Sequence, residues 1–174
     1  CVGIDLDPHK DTGSLAYVDA ARQLDNLMAQ FTGSPNSHVI LSSGRGLWAW
    51  VFIEPKPLTT TTEREEADLL IKGFTSAFIA AAPSLSKFGI IDSACAELSR
   101  IARCPGTTNH KTNLEAFICV DFFPVERISY TRFEELSAPL APSRGLPQPP
   151  SPITGRSIHE IVPHCNTTSR QFIL

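Results

Sequence analysis

The most informative part of the chain is residues 39–53, which read VILSSGRGLWAWVFI. Two runs rich in β-branched and aromatic residues, 39–41 and 47–53, flank the polar, glycine-containing segment 42–46. Runs of this kind on either side of a short glycine-containing segment are typical of paired antiparallel strands. The sequence therefore predicts a β-hairpin whose turn is small enough to approach a ligand closely.

Helices are predicted on both sides of this hairpin. From Ser14 onward apolar residues recur at helical spacing, until Gly33 and Pro35 interrupt the pattern. A second apolar stripe runs from Ala67 to Ala81 and follows a predicted capping box at 62–65. We expect the second helix to lie against the sheet.

Shorter elements complete the predicted fold. Buried strands are expected at 1–6 and 88–91, a helix at 93–103, and a final hairpin at 115–123 and 127–131 around Pro124. The order β-α-β-β-α-β-(α)-β-β brings strands in pairs, unlike a doubly wound Rossmann pattern. It predicts an α+β fold with a mixed or largely antiparallel sheet flanked by helices.

Length and composition fit one domain followed by a tail. The 174 residues, 42% hydrophobic and 19% charged, are sufficient to bury a core. Six prolines between 138 and 152 are typical of an extended linker. We expect a compact domain over 1–140, a proline-rich linker over 141–156, and a tail or the start of another domain over 157–174. Because Cys1 lies inside an apolar run, we also expect the domain to lack upstream residues.

Net charge, cysteine content and the lack of long apolar runs indicate which partners and which cellular compartment to expect. The formal net charge is only −3, which leaves room for a charged groove that binds nucleic acid. The five cysteines are odd in number and none forms a C-x-x-C spacing, so we expect reduced thiols. No apolar run is long enough for a membrane span and no signal peptide is recognisable. We therefore expect a cytoplasmic or nucleoid-associated protein that does not contact a membrane.

Three aspartates are candidates for a cation site. Asp5 and Asp7 stand two positions apart on a predicted strand, so their side chains share one face and could bind one divalent cation. Asp92 follows another strand and could complete the site. Alternatively, Asp7 begins an Asp-Pro turn, Asp5 is solvated, and Asp92 only caps a helix.

Two loops are candidates for binding an anion. In 42–46 the glycines and hydroxyls are expected to present free backbone N–H groups, and Arg45 adds a donor suited to phosphate. In 100–111 the basic residues Arg100, Arg103, His110 and Lys111 surround a proline-glycine turn and suit a polyanion. The alternatives are a plain hairpin turn and an exposed basic loop. Trp48 and Trp50 are expected to be packing residues on one face.

Other catalytic motifs are weak. His159 and His164 are five positions apart with Pro163 between them, which does not fit the H-E-x-x-H zinc motif. No G-x-S-x-G nucleophile elbow occurs, and Gly44-x-Gly46 lacks the third glycine of a dinucleotide fingerprint. Hydrolase and dehydrogenase functions are therefore not favoured.

Four motifs in this order carry a family resemblance: Asp5-x-Asp7, Ser43-Gly44-Arg45-Gly46-Leu47, Asp92, and Arg103-x-Pro105-Gly106-Thr107-x-Asn109-x-Lys111. Together they resemble the bifunctional primase-polymerase (prim-pol) domain of the archaeo-eukaryotic primase superfamily. The resemblance covers residues 1–137, and we expect that the family's strand and helix upstream of the first motif are missing here. It is greatest for the versions found in replication proteins of plasmids, phages and other mobile elements.

The resemblance implies a DNA primase or polymerase that transfers nucleotides from (d)NTPs under the direction of a template. Asp5, Asp7 and Asp92 would be the catalytic carboxylates that hold Mg²⁺ or Mn²⁺. The nucleotide would be bound by the remaining motif residues, Ser43, Gly44, Arg45, Arg103, Asn109 and Lys111. The implied partners are a single-stranded DNA template, a primer and a helicase, either as a following domain or as a separate protein.

One position departs from the family pattern. The second motif usually carries a histidine that contacts the nucleotide phosphates, and Trp48 stands there in this chain. Ser43, Arg45 and the loop of Arg103 and Lys111 would then take over the phosphate contacts. The alternative is a catalytically impaired prim-pol fold that serves as a nucleic-acid-binding or nucleotide-binding replication module.

Overall fold

The computed structural model describes residues 1–10, 13–98, 103–120 and 126–138. They form three α-helices and seven strands in an α+β arrangement, which confirms the predicted fold class. In chain order the elements are β1 (Val2–Pro8), α1 (Ser14–Thr32), β2 (His38–Ser42), β3 (Leu47–Val51), α2 (Thr61–Ala81), β4 (Gly89–Ile91), β5 (Thr108–Asn109), β6 (Leu114–Glu115), β7 (Phe117–Val120) and α3 (Tyr130–Ser137).

Five strands form the main sheet in the order β4-β1-β3-β2-β7, and every neighbouring pair is antiparallel. β2 and β3 pair as the predicted hairpin, with His38 opposite Val51 and Ser42 opposite Leu47. β5 and β6 form a separate two-stranded ribbon. β1 therefore lies between β3 and the short edge strand β4, and its backbone pairs with both.

Helices cover one face of the sheet. Alternate residues of β1, such as Ile4 and Leu6, point to this face and are 1% exposed. They share one apolar core with Met28 of α1 and with Phe74 and Phe78 of α2. Since the pleat sends the intervening residues to the opposite side, Asp5 and Asp7 lie on the face that these helices leave uncovered.

The helix ends follow from local chemistry. α1 ends at Gly33, whose φ of +79° is favourable for glycine and whose N–H donates to the carbonyl of Ala29 at 3.0 Å. α2 begins with a capping box between Thr60 and Glu63, rather than at the predicted 62–65. The predicted box was two residues too late because several consecutive threonines can cap, and Thr60 is the one that does.

α3 belongs to the core. Phe133 is 3% exposed and its ring lies 5.5 Å from that of Phe74 in α2. The two helices approach closely because Gly73 has no side chain: a Cβ there would contact the main-chain oxygen of Ser137. The last described helix is thus packed against the middle of α2.

Two predicted elements are wrong. Within the described part of the predicted helix over 93–103, which is residues 93–98 and 103, only Ser93–Cys95 forms a 3₁₀ turn, and the N–H of Leu98 donates to Asp68 Oδ1. The predicted final hairpin is replaced by β7, which pairs with β2, and by α3. Residue 128 forms one parallel bridge to residue 53, and the Ser129 hydroxyl accepts from the N–H of Arg132 and starts the helix.

Several predictions lie outside the described residues, including Arg100, Pro124, the proline-rich linker, the tail and the His159 and His164 pair. In the described ranges no helix is long and apolar enough to cross a membrane. Four cysteines fall within these ranges, and they form no disulfide with one another.

Candidate functional site

The carboxylates are brought together by the pairing of β1 with β4. Leu6 lies opposite Ile91 and Asp7 opposite Ile90, and the N–H of Asp92 donates to the carbonyl of Asp5 at 2.9 Å. The strands can approach because Gly89 has no side chain: a Cβ there would clash with the main-chain oxygen of Asp7. The chain thus leaves β4 directly beside Asp5.

Asp5, Asp92 and Cys95 form a compact cluster. One potential ligand atom from each lies within 4.8 Å of the others. The Cys95 Sγ atom is 3.1 Å from Asp92 Oδ2 and 3.5 Å from Asp5 Oδ2, so the thiol lies between the two carboxylates. Asp5 and Asp92 therefore meet as predicted, with a cysteine that the sequence motifs did not include.

Asp92 has two roles in this arrangement. Its Oδ1 atom accepts a hydrogen bond from the N–H of Ala94 at 2.9 Å, which caps the 3₁₀ turn, while Oδ2 faces Cys95. The turn places Cys95 over the sheet, where it is 4% exposed. The capping role proposed as an alternative to metal binding is present, and the second oxygen still faces the cluster.

Asp7 lies on the same face but does not join the three-residue cluster in the described part of the chain. Its Oδ1 atom is 3.9 Å from Arg45 Nε in the β2–β3 turn. The turn lies close to β1 because Gly46 has no side chain: a Cβ would come within 2.7 Å of the Leu6 carbonyl oxygen. Asp7 therefore links the carboxylates to the glycine-containing turn.

The turn is closed by its own hydrogen bonds. The N–H groups of Ser43, Gly44 and Gly46 donate respectively to the Gly46 carbonyl at 2.8 Å, the Ser42 hydroxyl at 3.1 Å and the Ser43 hydroxyl at 2.9 Å. The expectation of free backbone N–H groups is therefore wrong at these three positions, because nearby hydroxyls and a carbonyl accept from them. Ser43 and Gly44 shape the turn, and Arg45, with a side chain 59% exposed, is the group available to an anion.

The ribbon that contains the fourth motif docks on this turn. Asn109 is 4% exposed; its side-chain NH₂ donates to the Ser43 carbonyl at 3.1 Å, and its Oδ1 accepts from the N–H of Lys111 at 3.0 Å. The Thr112 hydroxyl donates to the Gly44 carbonyl at 2.8 Å. The side chain of Asn109 is thus engaged in holding the two loops together. Lys111 itself is exposed, one position from Thr112.

Arg103 lies at the start of this loop. Its Nη1 atom makes a long hydrogen bond of 3.4 Å to the carbonyl of Thr108 within the same loop. The guanidinium therefore remains near the ribbon, at the surface of the molecule.

Trp48 is a packing residue, as predicted. It lies opposite Asp5 on β3, is 9% exposed and belongs to a small apolar cluster with Val39, Leu41 and Cys95. Its ring lies over Gly3, where an added Cβ would come within 2.7 Å of it. An indole in this position offers an apolar wall beside the carboxylates.

Tyr17 is a further residue that the sequence patterns did not single out. Its hydroxyl lies 2.9 Å from both the Ser42 hydroxyl and the Gly46 carbonyl, so α1 supports the turn from the helix side of the sheet. Burial raises the pKa of the Tyr17 hydroxyl well above its ordinary value. Only the three-dimensional packing connects this tyrosine to the turn.

The donor set suits a divalent cation. Asp5 and Asp92 offer the carboxylate oxygens that Mg²⁺ and Mn²⁺ prefer, and their close approach is electrostatically costly without a positive charge. The Cys95 thiol offsets part of this cost by donating its one hydrogen. Burial and the two neighbouring carboxylates raise the pKa of Cys95 to about 12, so the thiol is neutral near pH 7.

No family model, curated protein or solved structure matches the chain at a significant level.

Proposed function

We propose that this domain is a metal-dependent primase-polymerase that transfers nucleotides from (d)NTPs onto a primer or a first nucleotide, directed by a single-stranded DNA template. The observation that supports this most is the meeting of distant motifs on the face of the sheet opposite α1 and α2. Asp5 and Asp92 lie side by side, Asp7 adjoins the turn of Arg45, and this turn carries the ribbon of Asn109 and Lys111.

In this proposal the residues have separate tasks. Asp5 and Asp92 hold Mg²⁺ or Mn²⁺, with Asp7 as a third carboxylate on the same face. The cation, when bound, supplies positive charge to the reacting phosphate. Arg45, Lys111 and Arg103 bind the triphosphate at the exposed side of the two loops.

Primer synthesis and extension on single-stranded DNA test the proposal, with Mg²⁺ and Mn²⁺ supplied separately. Asp5→Asn and Asp92→Asn should each lower incorporation at least about a hundredfold, since the charges that hold the cation are reduced. Asp19→Asn is the matched control, because Asp19 is an exposed carboxylate that pairs with Arg22 on α1. Equal activity in all three variants would contradict the proposal.

Nucleotide binding tests the phosphate contacts separately. A charge-assisted contact contributes about 1.5 to 3 kcal/mol, so Arg45→Ala and Lys111→Ala should weaken nucleotide binding roughly ten- to a hundredfold at fixed Mn²⁺. Arg22→Ala, which removes a surface cation from α1, provides the control. Affinities within about twofold of the parent would exclude these two residues from the site.

A catalytically impaired prim-pol fold that binds nucleotides or nucleic acid is the second candidate. It is favoured by Trp48, which replaces a polar group beside Asp5, and by the Cys95 thiol between the two carboxylates. Cation and nucleotide binding without incorporation on any template would support this candidate. Incorporation that depends on Asp5 and Asp92 would rule it out.

The biological setting belongs to the proposal as well. A primase-polymerase of this type would act in replication of a plasmid, phage or other mobile element, in the cytoplasm or at the nucleoid. It would work with a helicase, as a following domain or a separate partner. Co-purification of a helicase activity with this protein would support that setting.

A further inference from the structure

Side chains of the loop 103–113 donate hydrogen bonds to the β2–β3 turn. Asn109 donates to the Ser43 carbonyl and Thr112 donates to the Gly44 carbonyl, across 66 and 68 positions of the chain. Two adjacent carbonyls of the turn are thus bound by two residues of the loop. The acceptors are main-chain carbonyls, so no side chain of the turn takes part in either of these two bonds.

The contact surface is also closely packed. Gly44 has a φ of +76°, and a Cβ there would come within 2.7 Å of the Leu114 carbonyl oxygen and 3.0 Å of Asn109 Cβ. The loop is therefore seated against the turn along its backbone, in addition to the two hydrogen bonds. Since Asn109 is 4% exposed, its amide is shielded from competing water.

The cations flank this junction. Arg45 follows Gly44 directly and Lys111 precedes Thr112 directly. Each cation is therefore the chain neighbour of a residue that takes part in the hydrogen bond between Thr112 and Gly44. The N–H of Lys111 is itself held by Asn109 Oδ1 at 3.0 Å. The backbone that carries Lys111 is consequently fixed relative to the backbone that carries Arg45.

We infer that Asn109 and Thr112 are positioning residues that join the turn and the loop into one anion-binding unit for a chain of phosphates. This inference rests on the proposed function for its ligand and refines it: Asn109 acts through Ser43 and Lys111 and does not touch the nucleotide. The joined loops hold the backbones of Arg45 and Lys111 in place relative to each other, so only the two side chains have to be ordered when the phosphates bind.

Two substitutions each remove one of the hydrogen bonds between the loop and the turn with little change in side-chain shape. Asn109→Asp keeps the acceptor for the Lys111 N–H and loses the donor to Ser43, while Thr112→Val removes the hydroxyl that bonds Gly44. Thr112→Ser keeps a hydroxyl and is the conservative control. Thr112 is exposed, so Thr112→Val should fold even if the buried Asn109 variant does not.

The first measurement is amide hydrogen exchange, which needs no ligand. In Thr112→Val and Asn109→Asp the protected N–H groups of Ser43, Gly44 and Gly46 should exchange roughly two- to tenfold faster, the loss expected for one hydrogen bond. Thr112→Ser should restore the parent rate. Unchanged exchange in both variants would overturn the inference.

The second measurement is titration with inorganic tripolyphosphate, followed by kinetics with nucleotide. Both variants should bind tripolyphosphate roughly two- to tenfold more weakly and raise KM for nucleotide by a similar factor, with kcat unchanged. Faster exchange without loss of tripolyphosphate affinity, or a parent chain that binds no tripolyphosphate, would overturn the inference. If the parent chain incorporates nucleotides but does not bind tripolyphosphate, only the inference is overturned. If it binds tripolyphosphate but does not incorporate nucleotides, only the proposed polymerase activity is overturned.

Discussion

Replacing Asp92 by asparagine should stabilise the protein when no divalent cation is present. Asparagine has nearly the same shape and caps a helical turn as well as aspartate does, so the bond to the Ala94 N–H can be kept. What changes is the charge beside Asp5. The substitution removes the repulsion between the two carboxylates and keeps the cap, and it also turns the oxygen that accepts from the Cys95 thiol into an NH₂ donor, so one weak thiol hydrogen bond is lost as well.

The size of the effect follows from the spacing of the cluster. Ligand atoms of Asp5 and Asp92 lie within 4.8 Å of each other. At this separation two unit charges repel by roughly 0.9 kcal/mol in water and roughly 3.5 kcal/mol at an effective dielectric constant of 20. The hydrogen donated by Cys95 offsets part of this repulsion. We expect a net stabilisation of about 1 kcal/mol, or roughly 2 to 6 °C in the thermal midpoint.

Thermal unfolding with and without Mn²⁺ provides the assay. The parent should gain about 2.7 kcal/mol of stability at a Mn²⁺ concentration of 100 times its Kd, and Asp92→Asn should lose most of that gain. Asp5→Asn should behave in the same way. Asp19→Asn, at an exposed ion pair, should change the midpoint little under either condition. If Asp92→Asn is less stable than the parent without cation and keeps the full Mn²⁺ response, the two carboxylates do not form a cation site.

Three further outcomes are expected from other parts of the structure. Gly44→Ala should destabilise by about 1 to 3 kcal/mol in denaturant unfolding, because it combines a positive φ with a clash against the Leu114 oxygen; an unchanged midpoint would contradict the described seating of the loop. Cys95 should react slowly with iodoacetamide at pH 8, and its rate should keep rising with pH toward its pKa of about 12; a plateau below pH 10 would show that its carboxylate neighbours lie farther away. Hydrogen bonds from Thr60 and its neighbour lower the pKa of Glu63 to about 2, so the stabilisation by this carboxylate is complete above an unfolded pKa of about 4.5 and is lost as the pH falls through about 2. The thermal midpoints of Glu63→Gln and the parent should therefore differ at pH 7 and converge near pH 2, and a constant difference would oppose this assignment.

The sequence was sufficient for the elements whose pattern is strong. The β-branched and aromatic runs on either side of the turn predicted β2 and β3, and helical spacing up to Gly33 predicted α1. Weak patterns failed where tertiary contacts decide. The segment after Asp92 has helical composition, yet Cys95 packs over the sheet and the N–H of Leu98 is bound by Asp68 of α2.

The candidate site was predictable in part for a related reason. The spacing of Asp5 and Asp7 and the strand before Asp92 indicated a shared face, because side-chain direction in a strand follows from position alone. The direction of a side chain in a loop cannot be derived from its position in the sequence. Asn109 has the same amide whether it faces a ligand or another loop, and only the structure assigns that amide to the Ser43 carbonyl.

The close contact between Gly73 and Ser137 limits how far the domain can be shortened. Phe133 and Ser137 are 3% and 5% exposed, so removing α3 would uncover apolar surface at the middle of α2. A minimal version of the domain for crystallisation or tethering must therefore retain residues through at least 138. Fusion partners are best attached beyond that point, where they leave the junction of the two helices intact.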